Sequence, residues 1–210
     1  MTGTSGATIS AIVLAAGSSR RFGPDNKLLA MLGGRPLIAW SIAAFAASRV
    51  CEIVVVTGPN REEIEAALAG QRVRFVHNAD HLLGMGSSVA AGAAAIRDDI
   101  DGVMISPGDM PGLTASHIDQ LITAFDTAGK TTIVRPRLPD GAPGHPVLWP
   151  GRLLPRLRTL SGPEGGKQLL AEVAADVVAI PVEDQGARLD IDTTADLDDI
   201  RRRMRDTHGR

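Results

Sequence analysis

A segment near the start of the chain combines small, hydroxyl and basic residues in a pattern suited to holding phosphate groups. The segment reads Leu14-Ala15-Ala16-Gly17-Ser18-Ser19-Arg20-Arg21-Phe22-Gly23 and is followed by Lys27. Glycine lets the main chain approach a ligand closely, and Arg21 and Lys27 can neutralise charge that shifts onto a leaving pyrophosphate. The spacing is neither that of a Walker A motif nor the dinucleotide fingerprint, which disfavours a hydride-transferring oxidoreductase. The alternative interpretation is a plain glycine–serine turn with solvated basic residues.

Acidic residues in two later segments are candidate ligands for a metal ion. Asp109 lies just past an apolar run, after Pro107-Gly108, and Asp190 and Asp192 stand two positions apart near the end of the sequence. Because Mg²⁺ prefers oxygen ligands and usually keeps waters, few protein carboxylates are needed. In an extended segment Asp190 and Asp192 would share one face, and Asp190 is the stronger candidate. The alternatives are a turn-forming role for Asp109 and a helix-capping role for Asp192 or Thr193.

Two further segments carry residues suited to binding the remainder of a substrate. They read Gly84-Met85-Gly86-Ser87-Ser88 and Gly144-His145-Pro146-Val147. In the first, the glycines permit close approach, and the serines either cap a following helix or contact the edge of a base. In the second, His145 is either a site residue or a structural hydrogen-bonding group.

The pattern of apolar and polar residues predicts alternating strands and helices that would bring these segments together. Strands are predicted at Ile9–Ala15, Glu52–Thr57, 73–77 and 102–106. Helices are predicted at 37–47, 87–97, 165–173 and 194–205. Two more helices are predicted to begin after a capping box at 60–63 and after Thr114. Repeated strand–helix units imply an α/β fold with one doubly wound, mostly parallel sheet and helices on both faces. Such sheets bind ligands beyond the carboxyl ends of their strands. The loops after Ala15, His77 and Ser106 would lie there.

Length and composition narrow the possible classes of protein. The 210 residues suit a single domain over 1–210. A net charge of −2 disfavours nucleic-acid or membrane partners, and 3% aromatic residues disfavour a base-stacking surface. The only cysteine, Cys51, excludes an internal disulfide and a thiolate zinc cluster. Basic residues follow the first apolar run rather than precede it, unlike in a signal peptide, so we expect a cytoplasmic protein.

Together these residues resemble the MobA-like nucleotidyltransferase family, and most closely its molybdenum cofactor cytidylyltransferase branch. The resemblance extends from the opening loop to Asp196-Leu197 and rests on residues 14–23 with Lys27, 84–88, 107–111, 144–147 and 190–193. The guanylyltransferase branch usually has glycine where Ala16 stands. The cytidylyltransferase branch carries Gly-Asp-x-Gly-Ala-Arg after the His-Pro pair. This chain has Gly162-Pro163-Glu164-Gly165-Gly166-Lys167 instead, so Lys167 is the candidate counterpart of the arginine and the aspartate is missing.

The resemblance implies a nucleotide-diphospho-sugar transferase-like fold and transfer of CMP from CTP to the terminal phosphate of molybdopterin-type molybdenum cofactor. By this resemblance Arg21 and Lys27 hold the triphosphate, and Asp109 with Asp190 or Asp192 holds Mg²⁺. The nucleotide is bound by residues 14–19 with Gly86, Ser87 and Ser88. The acceptor is bordered by His145 and Lys167. The implied protein partner is a molybdenum hydroxylase apoenzyme or its chaperone. Open alternatives are a guanylyltransferase, a sugar- or polyol-phosphate nucleotidyltransferase, and a non-catalytic protein that delivers the cofactor.

Overall fold

The computed structural model describes residues 6–17, 22, 26–182 and 194–208. The strands in this part of the chain are β1 (Ile9–Ala15), β2 (Met31–Leu32), β3 (Arg35–Pro36), β4 (Glu52–Thr57), β5 (Arg74–His77), β6 (Gly102–Pro107), β7 (Ile133–Arg137), β8 (Val147–Pro150) and β9 (Val177–Pro181). The α-helices are α1 (Leu37–Ala46), α2 (Arg61–Ala67), α3 (Met85–Ala94), α4 (Ala115–Thr127), α5 (Leu154–Leu157), α6 (Lys167–Glu172) and α7 (Thr194–His208).

Seven of these strands form one sheet in the order β5-β4-β1-β6-β8-β7-β9, and β2 pairs with β3 in a separate hairpin. Strand β8 is antiparallel to both of its neighbours, β6 and β7. The other neighbouring strands of the sheet run parallel. The predicted mostly parallel sheet with helices around it is therefore confirmed.

Local differences from the predicted elements have identifiable causes. The predicted capping box before α2 does not form, because the side chain of Asn60 makes no capping hydrogen bond. Thr114 does cap α4 by accepting from the backbone N–H of His117, whose ring in turn accepts from the backbone N–H of Thr114. Helix α3 begins at Met85, so its first turn includes the glycine and serine positions predicted to precede it.

The central strands of the sheet, β1, β4 and β6, are buried on both faces. In β1, Ile9, Ala11 and Val13 belong to the core cluster that contains side chains of α1 and α4. Ile12 points to the other face, where α3, α5 and α6 contribute the core. This alternation explains why a short, almost wholly apolar run forms a central parallel strand.

Helix α7 packs on the β2–β3 hairpin and the start of α1. Leu197 and Ile200 form a small apolar cluster with Leu32 and Leu37. The guanidinium of Arg201 donates a hydrogen bond to the carbonyl of Met31 at 2.7 Å. No helix in the described part of the chain is both long and apolar enough to cross a membrane.

Candidate active site

The carboxyl ends of the central parallel strands meet at one edge of the sheet. The ends of β1 and β4 are in register, with Ala15 opposite Thr57, and Leu14 lies opposite Pro107 at the end of β6. Strand β8 runs in the opposite direction and begins with Val147 opposite Ile105. The segments that follow β1, β5 and β6 therefore lie at the same edge as the segment that precedes β8, which is the edge where such sheets bind ligands.

An ion pair between Asp109 and Lys27 lies at this edge. Asp109 is only 5% exposed, and its Oδ2 pairs with Nζ of Lys27. The other carboxylate oxygen, Oδ1, is buried and has no hydrogen-bond partner among the described residues. Lys27 opens a short 3₁₀ turn, Lys27–Leu29, which is capped by the side chain of Asn26. The two residues, which the sequence assigned to separate motifs, thus share one partly desolvated site.

A backbone contact and one buried serine fix the position of Asp109. The N–H of Gly108 donates to the carbonyl of Leu14 at 3.0 Å, and a Cβ at Gly108 would come within 3.1 Å of the same oxygen. The hydroxyl of Ser41, in α1, donates to the carbonyl of Gly108 at 3.0 Å and accepts from the N–H of Met110 at 3.1 Å. The loop is therefore held from both sides of the carboxylate.

A buried asparagine organises the predicted base-side segment. Asn78 follows β5, and its Nδ2 lies 2.9 Å from the hydroxyl oxygen of Ser87 and 3.0 Å from that of Ser88. Its Oδ1 accepts from the N–H of Asp80 at 3.0 Å. Ser87 does not act as an N-cap, because α3 begins at Met85 and places Ser87 inside the first turn. Asn78 had no motif to mark it, and its place directly after a strand was the only available signal.

The glycines of the same segment pack against another loop of the protein. Gly84 has a φ of +103°, and a Cβ there would lie 2.6 Å from the backbone of Gly162. A Cβ at Gly86 would lie 2.4 Å from the carbonyl oxygen of Ser161, while the N–H of Gly86 donates to the carbonyl of Gly162 at 2.9 Å. This contact connects the predicted nucleotide segment to the loop that leads into Lys167, the first residue of α6.

His145 lies just before β8, beside the end of β6. Its side chain is exposed, yet the surrounding protein displaces part of the water that would solvate the charged ring, and this desolvation lowers the pKa of His145 below its ordinary value. The positive charges of Arg135 and Lys167 lower that pKa further, whereas Asp109 opposes them. The ring is therefore neutral near pH 7, and these charged groups all lie within electrostatic reach of it. Lys167 itself is exposed, with Nζ 3.9 Å from Oε2 of Glu164.

The lowered pKa of His145 predicts a specific pH dependence of stability. As pH falls below about 6.5, an unfolded histidine takes up a proton that the folded protein binds only at lower pH. The free energy of unfolding should therefore decrease through this range, and less so in His145→Gln than in the natural protein. Urea denaturation of both proteins between pH 7.5 and 5 provides the measurement. Parallel curves would show that folding leaves the affinity of His145 for protons unchanged.

Several predicted site residues lie outside the described part of the chain. These are Ser18, Ser19, Arg21, Asp190 and Asp192. Of the opening segment, Leu14 and Ala15 end β1, Ala16 is buried, and Gly17 is exposed. Among the described residues, no group of three or more histidine, cysteine, aspartate or glutamate side chains is placed to hold a metal ion.

Comparison with known proteins decides the family. Residues 11–177 match the MobA-like NTP transferase domain. The chain belongs to the MobA-like family. This MobA-like transferase is 30% identical over 203 residues to the purine catabolism protein PucB of Bacillus subtilis, covering 92% of this chain and 96% of that protein. It is 28% identical over 195 residues to nicotine blue oxidoreductase of Paenarthrobacter nicotinovorans, covering 90% and 94% of the two chains.

Solved structures agree with the fold. A nucleotidyl transferase from Methanothermobacter thermautotroptrophicus superimposes with a TM-score of 0.80 at 24% identity, covering 95% of this chain and 99% of that one. The sheet and its helices are thus nucleotide-diphospho-sugar transferase-like, as predicted. Nucleotidyltransferases of the family typically use a divalent metal. The family membership predicted from the sequence is confirmed, and the chain is a nucleotidyltransferase.

Proposed function

We propose that this MobA-like transferase moves CMP from CTP to the terminal phosphate of a molybdopterin-type molybdenum cofactor and releases pyrophosphate. The observation that carries the proposal is the Lys27–Asp109 pair at the carboxyl edge of the sheet, with one carboxylate oxygen left without a partner. The segments 84–88 and 144–147 favour cytidylyl transfer over guanylyl transfer. We further propose that residues 1–210 act as one cytoplasmic domain that passes its product to a molybdenum hydroxylase or its chaperone.

The proposed reaction requires positioning and charge stabilisation more than proton transfer. An oxygen of the acceptor phosphate attacks the α-phosphorus of CTP, and the bond from that phosphorus to the bridging oxygen of pyrophosphate breaks. Lys27, with Arg21, balances the negative charge that develops on the leaving pyrophosphate. The backbone of residues 14–19 is proposed to bind the triphosphate. Ser41 and Gly108 contribute by keeping Asp109 at a fixed place relative to the reacting groups.

Asp109, together with Asp190 or Asp192, is the proposed holder of Mg²⁺. The buried Oδ1 of Asp109 has the chemistry of a magnesium ligand, because the ion prefers oxygen donors and a buried carboxylate oxygen without a partner is otherwise costly. When bound, the ion would neutralise phosphate charge and orient the triphosphate. Lys27 pairs with Oδ2 of Asp109, which leaves Oδ1 as the oxygen available to the ion.

His145 and Lys167 are proposed to border the acceptor. The neutral ring of His145 can both donate and accept hydrogen bonds, and the ammonium of Lys167 adds positive charge on the same side. The contact between 84–86 and 161–162 keeps this region beside the nucleotide segment. This arrangement supports neighbouring binding sites for the nucleotide and the acceptor at the carboxyl edge of the sheet.

The nucleotide and the acceptor are tested together by pyrophosphate release with each nucleoside triphosphate, with and without molybdopterin cofactor. We expect release with CTP only when the cofactor is present. In titration calorimetry with Mg²⁺, CTP should bind at least about tenfold more tightly than GTP, because the wrong base leaves buried polar groups unpaired. Equal binding of CTP and GTP would overturn the base assignment. Pyrophosphate release with a sugar phosphate but not with the cofactor would overturn the assignment of the acceptor.

A hydride-transferring oxidoreductase is a second candidate, favoured by the similarity to nicotine blue oxidoreductase of Paenarthrobacter nicotinovorans. The glycine spacing after β1 disfavours it, because a dinucleotide-binding turn needs G-x-G-x-x-G. Absorbance at 340 nm in the same assays would reveal oxidation of a reduced pyridine nucleotide. Pyrophosphate release without such oxidation is the result expected of a transferase.

A further inference from the structure

Arg135, in β7, is a half-buried cation without a partner among the described residues. Its Nε is fully buried and unpaired, and the guanidinium forms no ion pair or hydrogen bond with a described residue. Burial lowers the pKa of Arg135, although an arginine keeps its proton in proteins. A desolvated charge without a counter-ion is unfavourable. A ligand of opposite charge would relieve this cost.

The position of Arg135 places it on the acceptor side of the site. The carbonyl of Pro136, the next residue, accepts a hydrogen bond from the N–H of Gly144 at 2.9 Å, directly beside His145. Ile133, two positions before Arg135, packs in the core cluster that contains Val147 of β8 and Leu169 of α6. Because alternate strand residues share a face, Arg135 lies on the face covered by α6.

The charges around His145 agree with this placement. Arg135 and Lys167 both disfavour protonation of His145, and Asp109 favours it. Strand β7 runs in the same direction as β6, because β8 is antiparallel to both, and Arg135 follows the Val134–Leu148 pair toward the carboxyl edge at which Asp109 follows β6. A phosphate that approaches the Lys27–Asp109 pair from the acceptor side would thus meet a preformed positive group.

We propose that Arg135 binds the phosphate group of the acceptor substrate and holds it beside the Lys27–Asp109 pair. A planar guanidinium can donate two parallel hydrogen bonds to a phosphate, which fixes both its position and its orientation. The identity of the acceptor rests on the proposed function, whereas the ligand chemistry, a phosphate monoester, rests on Arg135 itself. The sequence offered no signal for this role, because an arginine within an apolar strand belongs to no motif.

Inorganic phosphate is a suitable probe once the triphosphate site has been filled with a non-hydrolysable CTP analogue. In calorimetry, Arg135→Gln should weaken phosphate binding about tenfold to hundredfold. The affinity of Arg135→Lys should fall between those of the natural protein and Arg135→Gln, because lysine keeps the charge but lacks the two parallel N–H donors. The matched control is Arg137→Gln, which removes the same charge from an exposed position in the same strand and should change binding less than about twofold. With cofactor, Arg135→Gln should raise the acceptor KM and leave the KM for CTP unchanged.

The melting temperature separates a binding role from a structural one. Because the guanidinium has no described partner, Arg135→Gln should keep or raise the melting temperature. A lower melting temperature with unchanged phosphate binding would overturn the proposal, as would equal weakening by Arg137→Gln. If Arg135→Gln loses phosphate binding but the natural protein transfers no CMP to the cofactor, the anion site stands and the acceptor assignment fails. Normal transfer by Arg135→Gln would overturn the anion site and leave the proposed function intact.

Discussion

Asp109→Asn is expected to lower turnover at least about a hundredfold, because electrostatic support at a reacting phosphate is typically worth about 10²–10³ in rate. The substitution keeps the size and shape of the side chain but removes the charge that pairs with Lys27. It also replaces the carboxylate proposed to hold Mg²⁺. Steady-state pyrophosphate release at saturating CTP and cofactor measures the effect, and the apparent affinity for Mg²⁺ should fall in parallel.

The matched control is Asp101→Asn, at the opposite edge of the sheet. Asp101 also pairs with a lysine, Lys130, at 3.1 Å, and accepts from the N–H of Thr8 at 2.8 Å. That hydrogen bond, with Lys130, lowers the pKa of the Asp101 carboxyl. Loss of the Asp101 charge in Asp101→Asn should lower the free energy of unfolding by about 1 kcal/mol, while turnover stays normal. A fully active Asp109→Asn enzyme would refute the metal site.

The central part of the fold could be predicted because its strands are buried on both faces. Ile9–Ala15 and Glu52–Thr57 are short apolar runs between turn residues, and both strands have the predicted bounds. Short strands were expected in the proline-rich second half, but the position and antiparallel direction of β8 were not predicted, because the prolines around it obscure any periodicity. The early start of α3 was missed for a similar reason, since Gly84 and Gly86 resemble loop residues.

The sequence marked the chemically active residue types but not their contacts. Asp109 and Lys27 were each identified from a local motif, whereas their direct pairing depends on how two distant loops meet at the sheet edge. Ser41 lies in an apolar helix, and Arg135 lies in a strand with no motif around it. Such roles depend on tertiary contacts rather than on local spacing, so only the structure reveals them.

Lys27→Met should lower turnover by about 10²–10³, because it removes the cation placed to balance charge on the leaving pyrophosphate. It should also destabilise the fold by up to about 3 kcal/mol, since it leaves the Asp109 carboxylate buried without its counter-charge. Asp109→Asn should destabilise less, because the side chain of Lys27 is 19% exposed and that of Asp109 only 8%. Urea denaturation in the absence of nucleotide gives the free energies of unfolding.

The double variant Lys27→Met/Asp109→Asn separates the two effects of the pair. With neither charge present, no uncompensated buried ion remains, so the double variant should be more stable than Lys27→Met alone. Its turnover should nevertheless stay as low as that of the worse single variant, because residues that act as a unit in catalysis are not additive. Strictly additive stability losses would show that the two charges are not coupled in solution. Recovery of turnover in the double variant would show that neither residue takes a direct part in the reaction, because a restored local charge balance would then be sufficient for activity.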